Sequence, residues 1–183
     1  MEKQHTKAIL LDKAKINRTI TRLAHEIIER NAQLDNIAII GVRTRGDLIA
    51  RRLCNKIFKI TNHKVLSGTL DVTFYRDDFR TNLGSPKVGA SDIMFDVNDK
   101  DVIVIDDVLY TGRTIRAGLD EIFMMGRPKS VQLSVLVDRG HRELPIKADY
   151  VGKNYPTSIN EHIHVYIDEV DNNESIELVE YNE

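Results

Sequence analysis

The sequence predicts an α/β fold: a doubly wound, mostly parallel sheet with flanking helices. Three observations predict it. Runs rich in apolar and β-branched residues at 37–42, 102–105 and 131–137 read as strands buried on both faces, as in parallel sheets. Between them lie segments whose apolar residues recur at helical spacing. Each run ends in a polar loop (43–46, 106–114 and 138–145), and loops after parallel strands project from one sheet edge.

The elements follow in order. Residues 8–11 form a short apolar entry, and Asp12 is placed to cap the first helix. Ile16, Ile20, Leu23, Ala24, Ile27 and Ile28 make that helix's buried stripe, whereas Arg18, Arg22, His25 and Glu29 lie on a different face. Strand 37–42 leads through Arg43-Thr44-Arg45-Gly46 into a second helix carrying Cys54. Residues 65–75 alternate loosely as a strand and run into Tyr75-Arg76-Asp77-Asp78, and 79–91 have the composition of a mobile loop. After the central strand, Ile115, Leu119, Ile122 and Phe123 mark a third helix, stopped by Gly126 and Pro128. Strand candidates follow at 150–152 and 162–167, and 175–181 is expected to be a last edge strand. No repeat, low-complexity stretch or linker divides the chain, so residues 1–183 are expected to form one domain.

Composition narrows the class. With 42% hydrophobic and 30% charged residues, the 183-residue chain reads as globular. Cys54 is the single cysteine, which excludes an internal disulfide; it falls in step with an apolar helix face, as a buried structural thiol does. Residues 1–15 lack an apolar signal core and no run could span a bilayer, so a cytoplasmic setting is expected. The net charge of −2 hides a gradient. Residues 1–64 carry 14 basic against 6 acidic groups, whereas residues 161–183 carry 8 acidic groups and no Lys or Arg. A solvated surface with an acidic end is the plain reading, and a basic face for phosphate or nucleic acid is the sharper one.

The chemistry concentrates in residues 101–114. Two carboxylates, Asp106 and Asp107, follow the apolar strand, and Tyr110-Thr111-Gly112-Arg113-Thr114 opens the next helix. Backbone N–H groups at a helix start, a glycine permitting close approach and two threonine hydroxyls make an anion cradle. Adjacent carboxylates repel that anion, so they should accept hydrogen bonds from neighbouring hydroxyls. A phosphate beside a diol is a ribose 5-phosphate. The plain alternative, a carboxylate capping the helix, needs only one Asp. Gly112 lacks the partners of a G-x-G-x-x-G fingerprint, and no G-x-x-x-x-G-K-[ST] occurs. Arg43 and Arg45 add cations at a second strand-to-helix turn; alone it reads as a solvated surface turn, and beside a phosphate loop as a pyrophosphate partner. His162 and His164 alternate along a strand, and metal ligation is set aside.

The string from Asp106 to Thr114 resembles the phosphoribosyl pyrophosphate (PRPP) loop of the type I phosphoribosyltransferases. Together with 75–78, Asp138-Arg139-Gly140-His141-Arg142-Glu143-Leu144-Pro145 and residues 148–154, it resembles the pyrimidine operon attenuation proteins, which are also uracil phosphoribosyltransferases. The resemblance runs from Lys7 almost to the C-terminus and is loosest over 79–92. It implies transfer of uracil onto PRPP to give UMP and pyrophosphate, with Mg2+ bound chiefly through PRPP. In that reading Asp106 and Asp107 hold the ribose. Residues 108–114 (Val108, Leu109, Tyr110, Thr111, Gly112, Arg113, Thr114) frame the PRPP or UMP phosphate. Thr44, Arg45 and Arg76 attend the pyrophosphate, and Asp138 and Arg139 the uracil edge. Arg45, Arg76, Asp106 and Asp107 are the catalytic candidates, acting by charge stabilisation and positioning; no general base is named. The loop after Tyr75 is expected to close over the site and exclude water.

The same resemblance implies a second role, UMP- or UTP-responsive binding of the leader mRNA of the pyrimidine operon, and a homodimer. Arg18, Arg22, His25, His141, Arg142, Lys147 and Lys153 are the expected RNA contacts, although no aromatic-rich RNA-binding string is present. A purine (hypoxanthine/guanine) salvage phosphoribosyltransferase without RNA binding is the alternative, since it would share the PRPP loop and differ in the base pocket.

Overall fold

The structure is a computed structural model and describes residues 3–72 and 91–182. Expectations placed on Tyr75, Arg76, Asp77, Asp78 and the covering loop lie outside the described residues. The chain runs β1 (Lys3–Asp12), α1 (Lys13–Arg30), a 3-10 turn (Leu34–Asn36), β2 (Ile37–Val42), α2 (Gly46–Thr61) and β3 (Leu66–Leu70). It continues with β4 (Asp101–Leu109), α3 (Arg113–Met125), β5 (Ser130–Asp138), β6 (Tyr150–Asn154), β7 (Glu161–Tyr166), α4 (Asp168–Asp171) and β8 (Ser175–Asn182).

Five strands form one parallel sheet in the order β3-β2-β4-β5-β6. β2 is buried at every position, as a strand covered on both faces must be. One face packs against α1 and α2, with Ile16, Ile20, Leu23, Ile49, Leu53 and Ile57 meeting Ile39, Ile103 and Ile105. The other face packs against α3 through Ile115 and Ile122, which meet Ile40, Val104 and Val135. Phe123, placed on the helical stripe from sequence, is instead 56% exposed near the α3 C-terminus. Asp12 caps α1 as expected, its Oδ1 accepting from Lys15 N at 2.8 Å. After β3 the chain crosses back to begin β4 on the other side of β2. Strand order therefore reverses between β2 and β4, and a ligand crevice lies beyond the carboxyl ends of strands at such a reversal.

The chain ends correct the sequence reading. Residues 175–181 do not form an edge strand of the main sheet; β8 is the middle strand of a separate antiparallel sheet, β1-β8-β7. The short entry at 8–11 is part of ten-residue β1, which pairs with β8 along its length. Pairing between the first and last segments of a chain leaves no local trace in either. The small sheet buries Leu11, Ile163, Val165 and Ile176 into the α1–α2 side of the core. Among the described residues no helix is long and apolar enough to cross a membrane.

Candidate active site

Two glycines let the β2–α2 turn press against β4. A Cβ on Gly41 would stand 2.4 Å from Asp47 Cα, and one on Gly46 would stand 2.5 Å from Ile105 O and 3.1 Å from Asp106 Cα. The turn carrying Thr44 and Arg45 is therefore held against the first of the paired carboxylates. Thr44 is exposed. Arg45 is engaged by the small sheet's helical turn: its Nε and Nη2 donate to Asp171 Oδ2 and Oδ1 at 3.2 and 2.9 Å. Arg43 Nη1 lies 3.4 Å from the buried Asp71 carboxylate.

Asp106 and Asp107 are 4% and 8% exposed. They lie within β4, whereas the sequence placed them after a shorter strand. β2 pairs with β4 only as far as Ile105, while β5 follows it to Leu109. The carboxylates thus begin where β4 loses one neighbour and its flank opens. Each reaches the next backbone N–H, Asp107 N to Asp106 Oδ1 and Val108 N to Asp107 Oδ1, both at 2.9 Å. Neither caps α3, whose N-cap is Gly112, so the plain capping alternative fails. Leu109 is buried in the α3-side core and Val108 packs on the opposite core, so these two offer a ligand their backbone only.

Gly112 adopts φ +94°, a conformation that glycine tolerates, and makes no side-chain cap at the start of α3. The first N–H groups and the positive end of the helix dipole therefore face the loop, the arrangement that receives a phosphate. Thr111 is buried, and its Oγ1 accepts from Arg113 N at 3.2 Å. Its carbonyl accepts from Glu143 N and Leu144 N at 3.0 and 3.2 Å. Thr114 is half-buried on the first turn. The Arg113 side chain turns outward to Glu143, with Nε 2.7 Å from Oε2. Its expected phosphate role thus falls to the backbone.

The loop after β5 is locked to this cradle. Arg139 is buried, with its guanidinium carbon 4.0 Å over the Tyr110 ring. Its Nη2 donates to Glu161 O at 2.7 Å and its Nε to Thr157 Oγ1 at 3.2 Å. His141 meets the same ring edge-on, centroids 6.2 Å apart, and its Nε2 lies 2.6 Å from Thr157 O. Asp138 receives Gly140 N at 3.0 Å and pairs with Arg142 Nη2. Nearby, burial, reinforced by the charges of Arg139 and His164, lowers the His162 pKa below its ordinary value. The loops 43–46, 106–114 and 138–145 thus do meet at one sheet edge.

The seven expected RNA contacts divide among several places. Arg18, His25 and Lys153 are exposed on α1 and the neighbouring β6. Arg22 joins these elements instead of standing clear: its Nη2 donates to Val151 O and Gly152 O at 3.0 and 2.6 Å. Arg142 is a loop organiser, donating to Tyr110 O at 2.7 Å and Ile146 O at 3.0 Å. Lys147 is exposed beside Ile115 and Leu119, against the α3 face of the sheet.

Sequence reading missed the acidic partners. Asp171 holds Arg45, and Arg52 bridges Glu169 and Glu174, each at 2.6 Å. The opposed charges of the two chain ends were the available signal. Lys7, Lys13, Arg45 and Arg52 of the basic end pair with Glu161, Asp168, Asp171, Glu169 and Glu174 of the acidic end. Cys54 is half-buried, and burial raises its pKa to about 11, which keeps it a protonated thiol. Among the described residues, no group of three or more His, Cys, Asp or Glu is placed to hold a metal ion.

Comparison with known proteins identifies the scaffold. The family described as "Phosphoribosyl transferase domain" matches residues 7–169. "Bifunctional protein PyrR" of Bacillus subtilis (strain 168) is 51% identical over 176 residues, covering 95% of this chain and 97% of that protein. The chain belongs to the phosphoribosyltransferase family, in its PyrR branch. Another PyrR, from Clostridioides difficile (strain 630), is 54% identical over 174 residues, covering 95% of this chain and 98% of that relative. Among solved structures, a hypoxanthine-guanine phosphoribosyltransferase from Bacillus anthracis superposes with a TM-score of 0.72 at 24% identity, covering 94% and 98% of the two chains. That likeness shows a shared fold. In this phosphoribosyltransferase-family chain, the crevice between β2 and β4 is where the fold's switch point, paired carboxylates and helix N-terminus coincide.

Proposed function

We propose that the chain transfers uracil onto PRPP, giving UMP and pyrophosphate, and that it is a UMP-responsive, RNA-binding attenuator promoting termination in the pyrimidine biosynthetic operon. The observation that carries this reading is the pairing of buried Asp106 and Asp107 with the Gly112-led start of α3, where Gly112 brings no side chain and Thr111 Oγ1 takes the Arg113 N–H. A ribose 5-phosphate satisfies both at once. Its phosphate takes the helix N–H groups, and its diol donates to the carboxylates. The PyrR relatives, about half identical over nearly the whole chain, favour the bifunctional reading over purine salvage. The purine enzymes, at 20–24% identity, share the fold alone.

In the reaction the bond from ribose C1 to pyrophosphate breaks and a bond from C1 to uracil N1 forms. The departing pyrophosphate takes the electron pair of the broken bond, and the proton given up by uracil N1 passes to it or to solvent. The two carboxylates hold the ribose while positive charge develops at C1, and their negative field stabilises that charge. Arg45, with Thr44 beside it, meets the leaving pyrophosphate. Buried Arg139 and half-buried Asp138 take the base side of the crevice. Mg2+ chelated by PRPP oxygens would neutralise pyrophosphate charge. Two adjacent carboxylates without a third protein ligand among the described residues suit an ion that arrives on its substrate.

The regulatory half pairs the same nucleotide site with a leader mRNA surface on α1 and β6, in a cytoplasmic homodimer. Two assays test the reading. Incubation with PRPP and each nucleobase should yield product with uracil, and product with hypoxanthine or guanine alone would reverse the assignment. Termination on a pyrimidine leader template should rise with the protein plus UMP, and termination indifferent to both would remove the regulatory half.

A further inference from the structure

Arg45 stands on the turn closest to the carboxylates, yet its guanidinium is held from the small sheet. Asp171, at the end of the single-turn α4, takes Nε at 3.2 Å and Nη2 at 2.9 Å. A bidentate pair of this kind fixes the plane of the guanidinium as well as its place. Asp171 is itself oriented, since its Oδ2 also accepts from Ile167 N at 2.8 Å. Both partners are mostly buried, with side-chain exposures of 26% and 16%. The pair uses one N–H at each of two nitrogens, whereas a guanidinium has five. Three donors remain for an anion.

Anchorage alone does not explain this pair. The same helical turn is already fastened to α2 by Arg52, whose nitrogens reach Glu169 and the 4%-exposed Glu174 at 2.6 Å each. Arg52 lies two helical turns beyond Arg45, away from the crevice. The distinguishing feature of Arg45 is its address. It adjoins Gly46, where an added Cβ would stand 3.1 Å from Asp106 Cα.

We propose that Asp171 is a positioning residue: it presents the Arg45 guanidinium to the pyrophosphate of PRPP. The proposal rests on the phosphoribosyltransferase reading of the crevice. Asp171 never touches substrate. It acts through Arg45, so its effect is confined to ligands that carry pyrophosphate and spares UMP, which lacks it.

The test compares Asp171→Asn, Glu169→Gln and Arg45→Gln, and the Arg45→Gln/Asp171→Asn double variant, each in the full chain. Calorimetry with magnesium pyrophosphate and with UMP is paired with steady-state kinetics on PRPP and uracil. Loss of one orienting charged pair should raise the PRPP KM and the pyrophosphate Kd about tenfold in Asp171→Asn, leaving the UMP Kd unchanged. Glu169→Gln loosens the parallel Arg52 clamp and should change none of these constants. The double variant should bind pyrophosphate no worse than Arg45→Gln, because a residue acting through another adds nothing once that residue is gone. Equal losses for UMP and pyrophosphate, an identical loss in Glu169→Gln, additive losses in the double variant, or unchanged pyrophosphate affinity in Asp171→Asn would each overturn the proposal. Should Asp171→Asn fail to fold, Asp171→Glu carries the same comparison, with an intermediate pyrophosphate Kd expected and an unchanged one counting against it. A wild-type chain that binds neither PRPP nor pyrophosphate would instead sink the reading of the crevice, and the proposal with it.

Discussion

The Arg139 guanidinium carbon lies 4.0 Å from the centroid of the Tyr110 ring, which clamps the loop after β5 onto the phosphate loop. Arg139 also donates to Glu161 O and Thr157 Oγ1, so one side chain joins the parallel sheet, the cradle and the small sheet. A planar guanidinium can stack and fork together, and an ammonium cannot do both. Arg139→Lys should therefore cost about 1–3 kcal/mol, as for a buried charged hydrogen bond, despite conserving charge. Urea unfolding of the two proteins measures it, and equal midpoints would show that the stacking is incidental.

Asp106→Asn and Asp107→Asn should each weaken UMP and PRPP while leaving the fold intact, because an amide keeps the size and loses a charged acceptor. Losing a charge-assisted hydrogen bond to the ribose should cost about 1.5–3 kcal/mol of affinity. Calorimetric titration with UMP reads this directly. Unchanged affinity in both variants would remove the ribose from this position.

These carboxylates were legible in the sequence because their context is local: an apolar run, two Asp, then a glycine opening a helical pattern. Alternation of strand and helix likewise revealed the parallel sheet. What stayed hidden involves partners far apart along the chain. Asp171 lies 126 residues from Arg45, and β1 pairs with β8 across nearly the whole sequence. Arg142 was hidden for another reason. A basic residue in a polar loop looks like surface until its fork is seen to serve the carbonyls of Tyr110, Gly140 and Ile146.

Acid should loosen the small sheet. The Asp168 carboxyl is held below its ordinary value of 3.8 by Lys13, and Glu169 below 4.5 by Arg52. For Asp171, burial pushes upward, but Arg45 and the Ile167 N–H more than offset it and leave the carboxyl below 3.8. A carboxylate with a depressed folded pKa contributes stability that is present above its unfolded value and lost as pH falls through the folded one. Melting temperature should therefore hold down to about pH 4.5 and drop below it. Arg52→Gln should melt lower near neutrality and converge on the wild type in acid. Curves that remain parallel throughout would mean that Arg52 adds nothing pH-dependent to the clamp.

The RNA surface calls for different variants than basic composition alone suggests. Arg22 donates to Val151 O and Gly152 O, so Arg22→Gln would disturb the α1–β6 contact along with any phosphate it meets. Arg18 and Lys153 are exposed on the same two elements and give the cleaner test. Each phosphate contact displaces counterions, so removing one should weaken leader-RNA binding at every sequence and reduce the slope of log affinity against log salt by about 0.7–0.9. Arg18→Gln and Lys153→Gln should show that flattening while uracil phosphoribosyltransferase activity and melting temperature stay at wild-type values. A filter-binding series across salt at fixed UMP decides between the two roles of this face. RNA affinity equal to wild type at every salt in both variants would make Arg18 and Lys153 solvated surface groups and move the leader site elsewhere on the molecule.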